Sequence, residues 1–382
     1  MQAVSSSPAG ARPCNTLLLV TFALLSAAGA WFMRVSLILY DAPKDFLEVV
    51  QAGVYPNGTP IKKDYTGLAP LDEGLSFLVA AFLPGAAGWN ETFYWQQFHF
   101  LIQITGLIAI MNVEACRERN SASWIKYTAV WAFVYQNVGG AVIITLWMLL
   151  FHRLSGRNSY FQSGRAVPLP YAKVILPGTI LQYLIPTIAI FISGQSITML
   201  QGVLAFWQFA PVLANIPLWF VSPFVSTTPA SGKTKTADIR HLKIIYNTVF
   251  VISVISHWIT IYKVASSENP EVTFVRVFLP SREHWLTSMN EGLLWIFQWD
   301  WIIFAACYLI SALTAIYDIQ RLVPDIDTDP EGDKIFKGVY MVVALTVLGG
   351  PGAALSGVWS WREEQLAVLE ERAEKASLKK AT

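Results

Sequence analysis

The sequence has little charge and few cysteines. Of its 382 residues, 14% are charged, whereas a soluble globular domain carries about a quarter, so the composition excludes an ordinary soluble domain. The three cysteines lie far apart, at positions 14, 116 and 307, and form neither a CxxC motif nor a metal-binding pattern with histidine. The net charge of +1 provides no basic surface for nucleic acid.

Sequence motifs for common cofactors are also missing. The chain contains no Walker loop and no HExxH, GxSxG or GxGxxG motif. ATP hydrolysis, zinc proteolysis, serine hydrolysis and dinucleotide binding therefore have no support.

Apolar residues dominate the chain, with 54% hydrophobic residues and a mean hydropathy of +0.45. Several apolar runs exceed the ~18 residues that identify a candidate transmembrane helix. The pattern predicts an all-α, polytopic integral membrane helical bundle of about eight transmembrane helices. We expect one domain over 1–360 and a charged, solvated C-terminal tail at 361–382. The predicted spans are 16–34, 94–115, 125–151, 171–193, 199–221, 243–263, 292–316 and 336–358.

The first loop, at about 35–93, carries two N-glycosylation sequons, at Asn57 and Asn90. Such sites favour a lumenal loop and a multi-pass protein of the endoplasmic reticulum. Lys and Arg divide almost evenly between the two sides, so charge leaves the orientation open. The first span is either retained or cleaved after the small residues AAGA, and its single leader arginine favours retention.

One carboxyl group lies within a strongly apolar segment. Asp300 stands between Trp299 and Trp301 in FQWDWIIF, with Phe297 and Phe304 on the same side of the predicted helix. An intramembrane ionisable group costs ~2.5 kcal/mol or more and is a functional candidate by default. Apolar surroundings favour the protonated acid, and aromatic faces stabilise cations by up to ~2 kcal/mol each. The combination suits carbocation chemistry started by proton transfer.

Other polar side chains share faces of the predicted helices. Gln103 and Glu114 fall on one face of the second span, and Tyr246 and His257 fall on one face of the sixth. Hydrogen bonding between helices is the simpler explanation for Gln103 and for His99 of the same span. For Glu114, an ion pair with Arg117 at the helix end is as well supported as a catalytic role.

Amides occupy two further spans. Gln136 and Asn137 precede the pair Gly139-Gly140 in the third span. Gln201, Gln208 and Asn215 form a stripe of heptad spacing in the fifth. Interhelical hydrogen bonds are again the simpler interpretation for these side chains.

At this point the chain resembles the fungal membrane-bound terpene cyclases of meroterpenoid pathways. It is most similar to the longer, eight-span group associated with ascochlorin, ascofuranone and macrophorin-type products. The resemblance covers most of the chain in length and span layout. The residues that carry it locally are Glu114 in MNVEACRER and Asp300 in FQWDWIIF.

The resemblance implies a specific reaction. The substrate would be a prenylated aromatic compound with a farnesyl-type chain, commonly bearing a terminal epoxide, and cyclisation would start by protonation without loss of diphosphate. Such a reaction would need no metal and no organic cofactor. The acidic segment DIDTDPEGD (325–333) agrees with this reaction, because it is not the DDxxD motif of diphosphate-ionising terpene synthases. It also falls one residue short of the DxDD acid motif of soluble class II cyclases. We interpret that segment as a solvated turn.

The resemblance also suggests roles for individual residues. Asp300 would be the general acid, and Glu114 would be its orienting partner or the terminal base. Asn137 and His257 are candidate helpers. The residues assigned to substrate binding are Trp299, Trp301, Phe297, Phe304, Gln103 and Tyr246.

Three other functions remain open from the sequence. A proton-coupled transporter would use Asp300, Glu114 and His257 as a relay, although the internal repeats common in transporters are not apparent. A sterol-isomerase-like enzyme would also handle a carbocation between helices. A non-catalytic lipid-binding or scaffold protein would tolerate Asp300→Asn. The expected partners are the prenylated aromatic substrate and membrane lipid, with no nucleic acid.

Overall fold

A computed structural model describes residues 10–225, 235–322 and 331–381. These residues form helices and, apart from two isolated bridges, no β-structure, which confirms the all-α class. Residues 325–330 of the acidic segment lie outside the described part. The helices are α1 (Asn15–Leu39), α2 (Phe46–Ala52), α3 (Ala69–Ala86), α4 (Glu91–Cys116), α5 (Thr128–Val138), α6 (Gly140–Leu154), α7 (Leu169–Ile190), α8 (Ile197–Trp207), α9 (Ala210–Phe224), α10 (Ile239–Ala265), α11 (Phe274–Phe278), α12 (Met289–Leu322), α13 (Glu331–Gly349) and α14 (Pro351–Ala381).

Five helices in the described residues are long and apolar enough to cross a membrane, namely α1, α4, α7, α10 and α12. They correspond to five of the eight predicted spans. The pair α8 and α9 counts as a sixth if it is one span, although it bends by 46° where the helices meet. The expectation of eight continuous spans is therefore not met.

The other two predicted spans are each split by a glycine. Gly139 has φ +123° and separates α5 from α6, and Gly350 has φ +84° and separates α13 from α14. Such positive φ values suit glycine, because a side chain would be strained there. The hydropathy of 125–151 and 336–358 is uninterrupted, so the apolar pattern did not reveal these breaks.

Helix α4 lies at the centre of the bundle and is almost entirely buried. It packs against α3, α10 and α14. The approach to α14 is close, since a Cβ on Gly106 would lie 2.8 Å from the Ser356 hydroxyl. Small residues at such positions let membrane helices approach each other closely.

The C-terminal region departs from the expected boundary at residue 360. Helix α14 runs continuously from Pro351 to Ala381, and both Arg362 and Glu363 are buried. The first part of the expected tail is thus a packed part of the bundle. The reason is electrostatic, because these charges meet opposite charges from α4 and from the segment before α7.

Candidate active site

Asp300 lies on α12 opposite the start of α6. Its Oδ1 accepts a hydrogen bond from the backbone N–H of Ala141 at 2.5 Å. This N–H belongs to the first turn of α6, where helix amides have no partner within the helix. The positive end of the helix dipole also favours negative charge at this point. The break at Gly139 therefore creates, inside the bundle, a helix N-terminus that holds one oxygen of Asp300.

Gly140 allows this close approach. A Cβ at this position would lie 2.5 Å from the Phe304 ring and 3.2 Å from Asp300 Oδ1. Any larger residue would push the Phe304 ring or the carboxyl group away. The Gly-Gly pair thus has two functions, since Gly139 breaks the helix and Gly140 leaves room for Asp300.

Asp300 also lines a cavity of about 890 Å³. This volume lies within the ~300–1,000 Å³ typical of small-molecule sites. Much of the wall is apolar, and many of its side chains are aromatic. They include Phe82, Phe100, Tyr135, Trp207, Phe297 and Phe304.

Polar groups line the cavity at three places. Arg34 of α1 lies within electrostatic reach of Asp300. Three carboxylates, Asp41, Asp45 and Glu48, come from the segment between α1 and α3. The third group comprises the amides Gln136, Asn137 and Gln208.

Four of the predicted site residues share this cavity, namely Asp300, Phe297, Phe304 and Asn137. The Asn137 side chain donates back to the Phe133 carbonyl at 2.7 Å. The other predicted residues lie elsewhere.

The two tryptophans beside Asp300 point away from the cavity. Trp299 stacks on Phe32 with ring centroids 3.7 Å apart, and Trp301 packs edge-on against His99 at 5.0 Å. Residues adjacent in a helix differ by 100°, so both neighbours of a cavity-facing residue turn aside. The flanking tryptophans therefore do not line the cavity, although the helix around Asp300 is rich in aromatic residues.

Glu114 belongs to a separate, fully buried ion cluster. Its Oε2 accepts from Arg117 at 3.0 Å, and its Oε1 accepts from Arg362 at 2.8 Å and from the Trp359 indole at 3.1 Å. The ion pair with Arg117 that the sequence allowed is thus present. Tyr246 lies in the same cluster, with its hydroxyl 3.4 Å from the Arg117 guanidinium.

The cluster continues through Glu363 of α14. This carboxylate accepts from Arg117 at 2.5 Å and from Arg165 at 2.6 Å, and Arg165 also pairs with Asp238 at 2.8 Å. Burial alone raises the pKa of the Glu363 carboxyl, but Arg117 and Arg165 outweigh burial, and the pKa lies below its ordinary value. The ion cluster is thus a set of mutually compensated charges.

Gln103 and His257 connect helices. Gln103 donates to the Ser253 carbonyl at 2.8 Å and accepts from the Gly352 amide at 2.8 Å, so it joins α4 to α10 and α14. His257 contacts His99 at 3.1 Å and the Val347 carbonyl at 3.1 Å. These are the interhelical hydrogen bonds that offered the simpler explanation for Gln103 and for His99, the partner of His257.

The two sequons differ in environment. Asn57 is exposed in a turn, where its side chain accepts from the Thr59 amide. Asn90 caps α4 by accepting from the Phe93 amide at 3.0 Å, and its amide nitrogen donates to Glu291 at 3.1 Å. A glycan on Asn90 would replace a donor that the fold uses.

Several cavity residues were missed from the sequence. Arg34 is the last residue of the first predicted span, and a charged residue at that position ordinarily indicates only where a span ends. Gln136 and Gln208 looked like interhelical amides.

Within the described residues, no group of three or more His, Cys, Asp or Glu side chains is arranged to hold a metal ion.

Comparison with known proteins decides the family. The model of the CtvD domain matches residues 19–367, which is nearly the whole chain. The chain belongs to the CtvD-domain family. The match includes both Asp300 and the ion cluster around Glu114.

Curated fungal relatives of this CtvD-domain protein are named terpene cyclases. Terpene cyclase ascI of Acremonium egyptiacum is 26% identical over 77% of the chain and 78% of the relative. Terpene cyclase ctvD of Aspergillus terreus is 26% identical over 80% of the chain and 86% of the relative. A third relative, FAD-dependent monooxygenase anuJ of Penicillium roqueforti, is 24% identical over 73% of the chain but only 33% of its own length. No solved structure matches the chain.

Proposed function

We propose that this CtvD-domain protein is a terpene cyclase of the endoplasmic reticulum membrane. It protonates the terminal epoxide of a prenylated aromatic compound and cyclises the chain through a carbocation. The reaction is an isomerisation that releases no diphosphate. Asp300 is the general acid, and the aromatic cavity binds the prenyl chain.

The observation that carries this proposal is the environment of the Asp300 carboxyl. One oxygen, Oδ1, is held by the Ala141 amide, and within the described residues Oδ2 has no hydrogen-bond partner. The group lines a largely apolar cavity, in which the neutral acid is favoured before substrate binds. Oδ2 is then the oxygen that carries the proton to the substrate.

The same environment suits the state after proton transfer. The proton moves from Oδ2 to the epoxide oxygen, the C–O bond to the more substituted carbon breaks, and Asp300 becomes a carboxylate. The Ala141 amide at the N-terminus of α6 and the charge of Arg34 stabilise that carboxylate. Because these groups are fixed in place, they need no reorganisation during the reaction.

The cation then moves along the chain as each double bond attacks it. Phe100, Phe297 and Phe304 line the cavity beside Asp300, and aromatic faces stabilise positive charge. The last cation loses its proton to water, and the Asp300 carboxylate regains a proton from water before the next turnover. Protons therefore balance, and substrate and product have the same mass.

The relatives support an epoxide as the reacting group. The anuJ protein is named a FAD-dependent monooxygenase, and only a third of it matches this chain. Flavin monooxygenases insert oxygen, and an epoxide is one product of adding oxygen to an alkene. A cyclase-like region in the same polypeptide is consistent with cyclisation directly after oxidation.

The transporter alternative is less well supported, because its proposed relay residues are not hydrogen-bonded to one another. Asp300 bonds to Ala141, Glu114 is paired with Arg117 and Arg362, and His257 bonds to His99. A proton relay needs groups within hydrogen-bond reach of each other. The three titratable side chains instead occupy separate hydrogen-bond networks.

The test is conversion of a farnesylated phenol terminal epoxide by microsomes that contain the protein. We expect a cyclised product with the mass of the substrate, absent with the Asp300→Asn variant. Asp64→Asn is the matched control, because Asp64 is an exposed aspartate that does not line the cavity.

The control variant should keep its activity. Cyclisation that persists with Asp300→Asn would contradict the assignment of the acid. If wild-type microsomes convert neither farnesylated phenol epoxides nor the corresponding alkenes, while the protein is present and folded, the proposed substrate class is wrong.

A further inference from the structure

Three amides of heptad spacing occupy the broken segment formed by α8 and α9, but their surroundings differ. The Gln201 side chain accepts from the Lys62 amide at 2.8 Å and donates to the Pro60 carbonyl at 3.1 Å. Asn215 accepts from the Thr128 hydroxyl and donates to the carbonyls of Pro211 and Val212. Both are satisfied by the protein, so both have a structural role.

Gln208 is different, because its amide nitrogen is buried and has no hydrogen-bond partner. The residue is 5% exposed and lies at the bend between α8 and α9. A buried amide without a partner costs ~1–3 kcal/mol. Such a group in a native protein calls for an explanation.

The orientation of the Gln208 amide follows from its neighbour. The Gln136 side-chain nitrogen is 3.3 Å from both the backbone oxygen and the side-chain oxygen of Gln208. The backbone oxygen accepts only, so Gln136 must present its NH₂ group there. That NH₂ group then faces the Gln208 side-chain oxygen. Exchanging the oxygen and nitrogen of Gln208 would set two NH₂ groups against each other, so its nitrogen remains the unpartnered atom.

The cavity lies beside this donor. Among the described residues that line it, Gln208 alone has a buried side-chain nitrogen without a hydrogen-bond partner. The terminal torsion of glutamine is soft, so rotation of the amide can present its N–H to the cavity that the side chain lines. A ligand that fills the cavity can satisfy this donor only with an acceptor atom.

We propose that Gln208 is a substrate-binding residue that donates a hydrogen bond to an oxygen on the aromatic head of the prenylated substrate. The assignment rests on the proposed function, which supplies the class of ligand. It goes further by fixing which end of that ligand lies at the bend between α8 and α9. The prenyl epoxide then lies towards Asp300.

The chemistry of the two substrate ends supports this orientation. An N–H group carries partial positive charge, so it is unfavourable beside a carbocation and favourable beside an oxygen. The epoxide oxygen receives its proton from Asp300. The oxygen that remains for Gln208 is a phenol or carbonyl oxygen on the aromatic head. A site with a buried donor selects against an analogue that lacks the acceptor.

The test measures binding without turnover, using purified protein in lipid nanodiscs. The two probes are a farnesylated phenol and farnesylbenzene, which lacks the ring oxygen. We expect the wild type to bind the phenol roughly tenfold more tightly, as one hydrogen bond of ~1.4 kcal/mol provides. The Gln208→Met variant should bind both probes alike. Gln201→Met, the matched control on α8, should keep the tenfold preference.

Folding of the variant is checked by its thermal unfolding without ligand. Removing an unpartnered donor should leave the stability of Gln208→Met unchanged or higher, since Gln136 still bonds to the backbone oxygen. Gln201→Met should be less stable, because it loses two hydrogen bonds. Gln208→Leu provides a second variant with the same expected binding.

Two results would overturn the proposal. One is a tenfold preference that survives in both Gln208 variants. The other is a Gln208-dependent preference for farnesylbenzene terminal epoxide over farnesylbenzene, which would assign the donor to the epoxide oxygen. Failure of the proposed function is separable from both. If only the proposed function fails, the protein still binds the phenol more tightly than farnesylbenzene in a Gln208-dependent way, but the wild type converts no epoxide.

Discussion

Asp300 and Glu114 are both carboxyl groups in apolar helices, yet their surroundings are opposite. Glu114 accepts hydrogen bonds from two arginines and an indole, and no part of it is exposed. Asp300 accepts one hydrogen bond from a backbone amide and lines a large aromatic cavity. The ion cluster around Glu114 leaves no free oxygen, whereas the Asp300 site leaves one free beside a space for a ligand.

We propose that this difference separates a structural acid, Glu114, from a catalytic one, Asp300. A carboxylate already paired with arginines is held in its charged form and has no proton to give. A carboxyl in an apolar cavity can hold a proton and release it. When the proton leaves, the Ala141 amide and the charge of Arg34 stabilise the Asp300 carboxylate that forms. The number and kind of partners, rather than burial, distinguish the two roles.

The largest expected effect is on stability, and it concerns the ion cluster. Replacing Glu114 by Gln leaves Arg362 without its buried counter-charge and Arg117 with Glu363 alone. Breaking a buried pair in this way costs about 3–5 kcal/mol. Asp300→Asn should cost less than ~1 kcal/mol, because an asparagine oxygen still accepts from Ala141. Thermal unfolding of the two detergent-solubilised variants measures the contrast. Equal losses of stability would remove the distinction between the sites.

The next effect concerns the approach of α6 to Asp300. The Cβ of Gly140→Ala would lie 2.5 Å from the Phe304 ring, so the ring and the carboxyl group must move. A misplacement of about 1 Å can cost roughly 100-fold in rate, and we expect a ten- to hundredfold loss of turnover. Gly202→Ala, where a Cβ has open space, is the control. An unimpaired Gly140→Ala enzyme would show that the geometry at Asp300 Oδ1 is unimportant.

Acid should act on the ion cluster. The pKa of Glu363 is held below its ordinary value by Arg117 and Arg165. Its contribution to stability is therefore complete above the unfolded-state pKa of about 4.5 and is lost as the pH falls through the lower folded-state pKa. The slope is at most ~1.4 kcal/mol per pH unit for one proton. Thermal unfolding at pH 3–7 should show this loss in the wild type and a weaker dependence in Glu363→Gln.

The smallest effect concerns Arg34. Its charge acts on Asp300 from a partly open position, where such coupling is worth ~0.5–1 kcal/mol. We expect Arg34→Met to lower turnover roughly two- to fivefold and Arg34→Lys to retain most of it. Measurement in low and high salt sharpens the comparison, because screening should reduce the difference between Met and Lys. A Met variant as active as the Lys variant would show that this charge does not assist the acid.

The sequence was sufficient for the fold class and for the catalytic candidate. Long apolar runs predicted an all-α membrane bundle, and a lone acid in an aromatic helix identified Asp300. The breaks at Gly139 and Gly350 were missed, because hydropathy does not report the backbone angles of single glycines. Without the break at Gly139, the helix N-terminus that holds Asp300 could not be anticipated.

Partners distant in sequence were also beyond prediction. Asp300 and Ala141 are 159 residues apart, and Glu114 and Arg362 are 248 apart. Helical periodicity places residues on a face of their own helix but does not say which helix faces them. This is why the sequence left a catalytic role open for Glu114, and why Gln208 looked like Gln201.

The most direct test is the turnover number of Asp300→Asn beside that of Glu114→Gln, each per folded molecule, on a farnesylated phenol terminal epoxide. Loss of a general acid typically costs 10²–10⁴-fold, so we predict a loss of that size for Asp300→Asn. Folded Glu114→Gln should stay within about threefold of the wild type, since its defect is in stability. Near-normal turnover by Asp300→Asn, with turnover abolished in folded Glu114→Gln, would contradict the account.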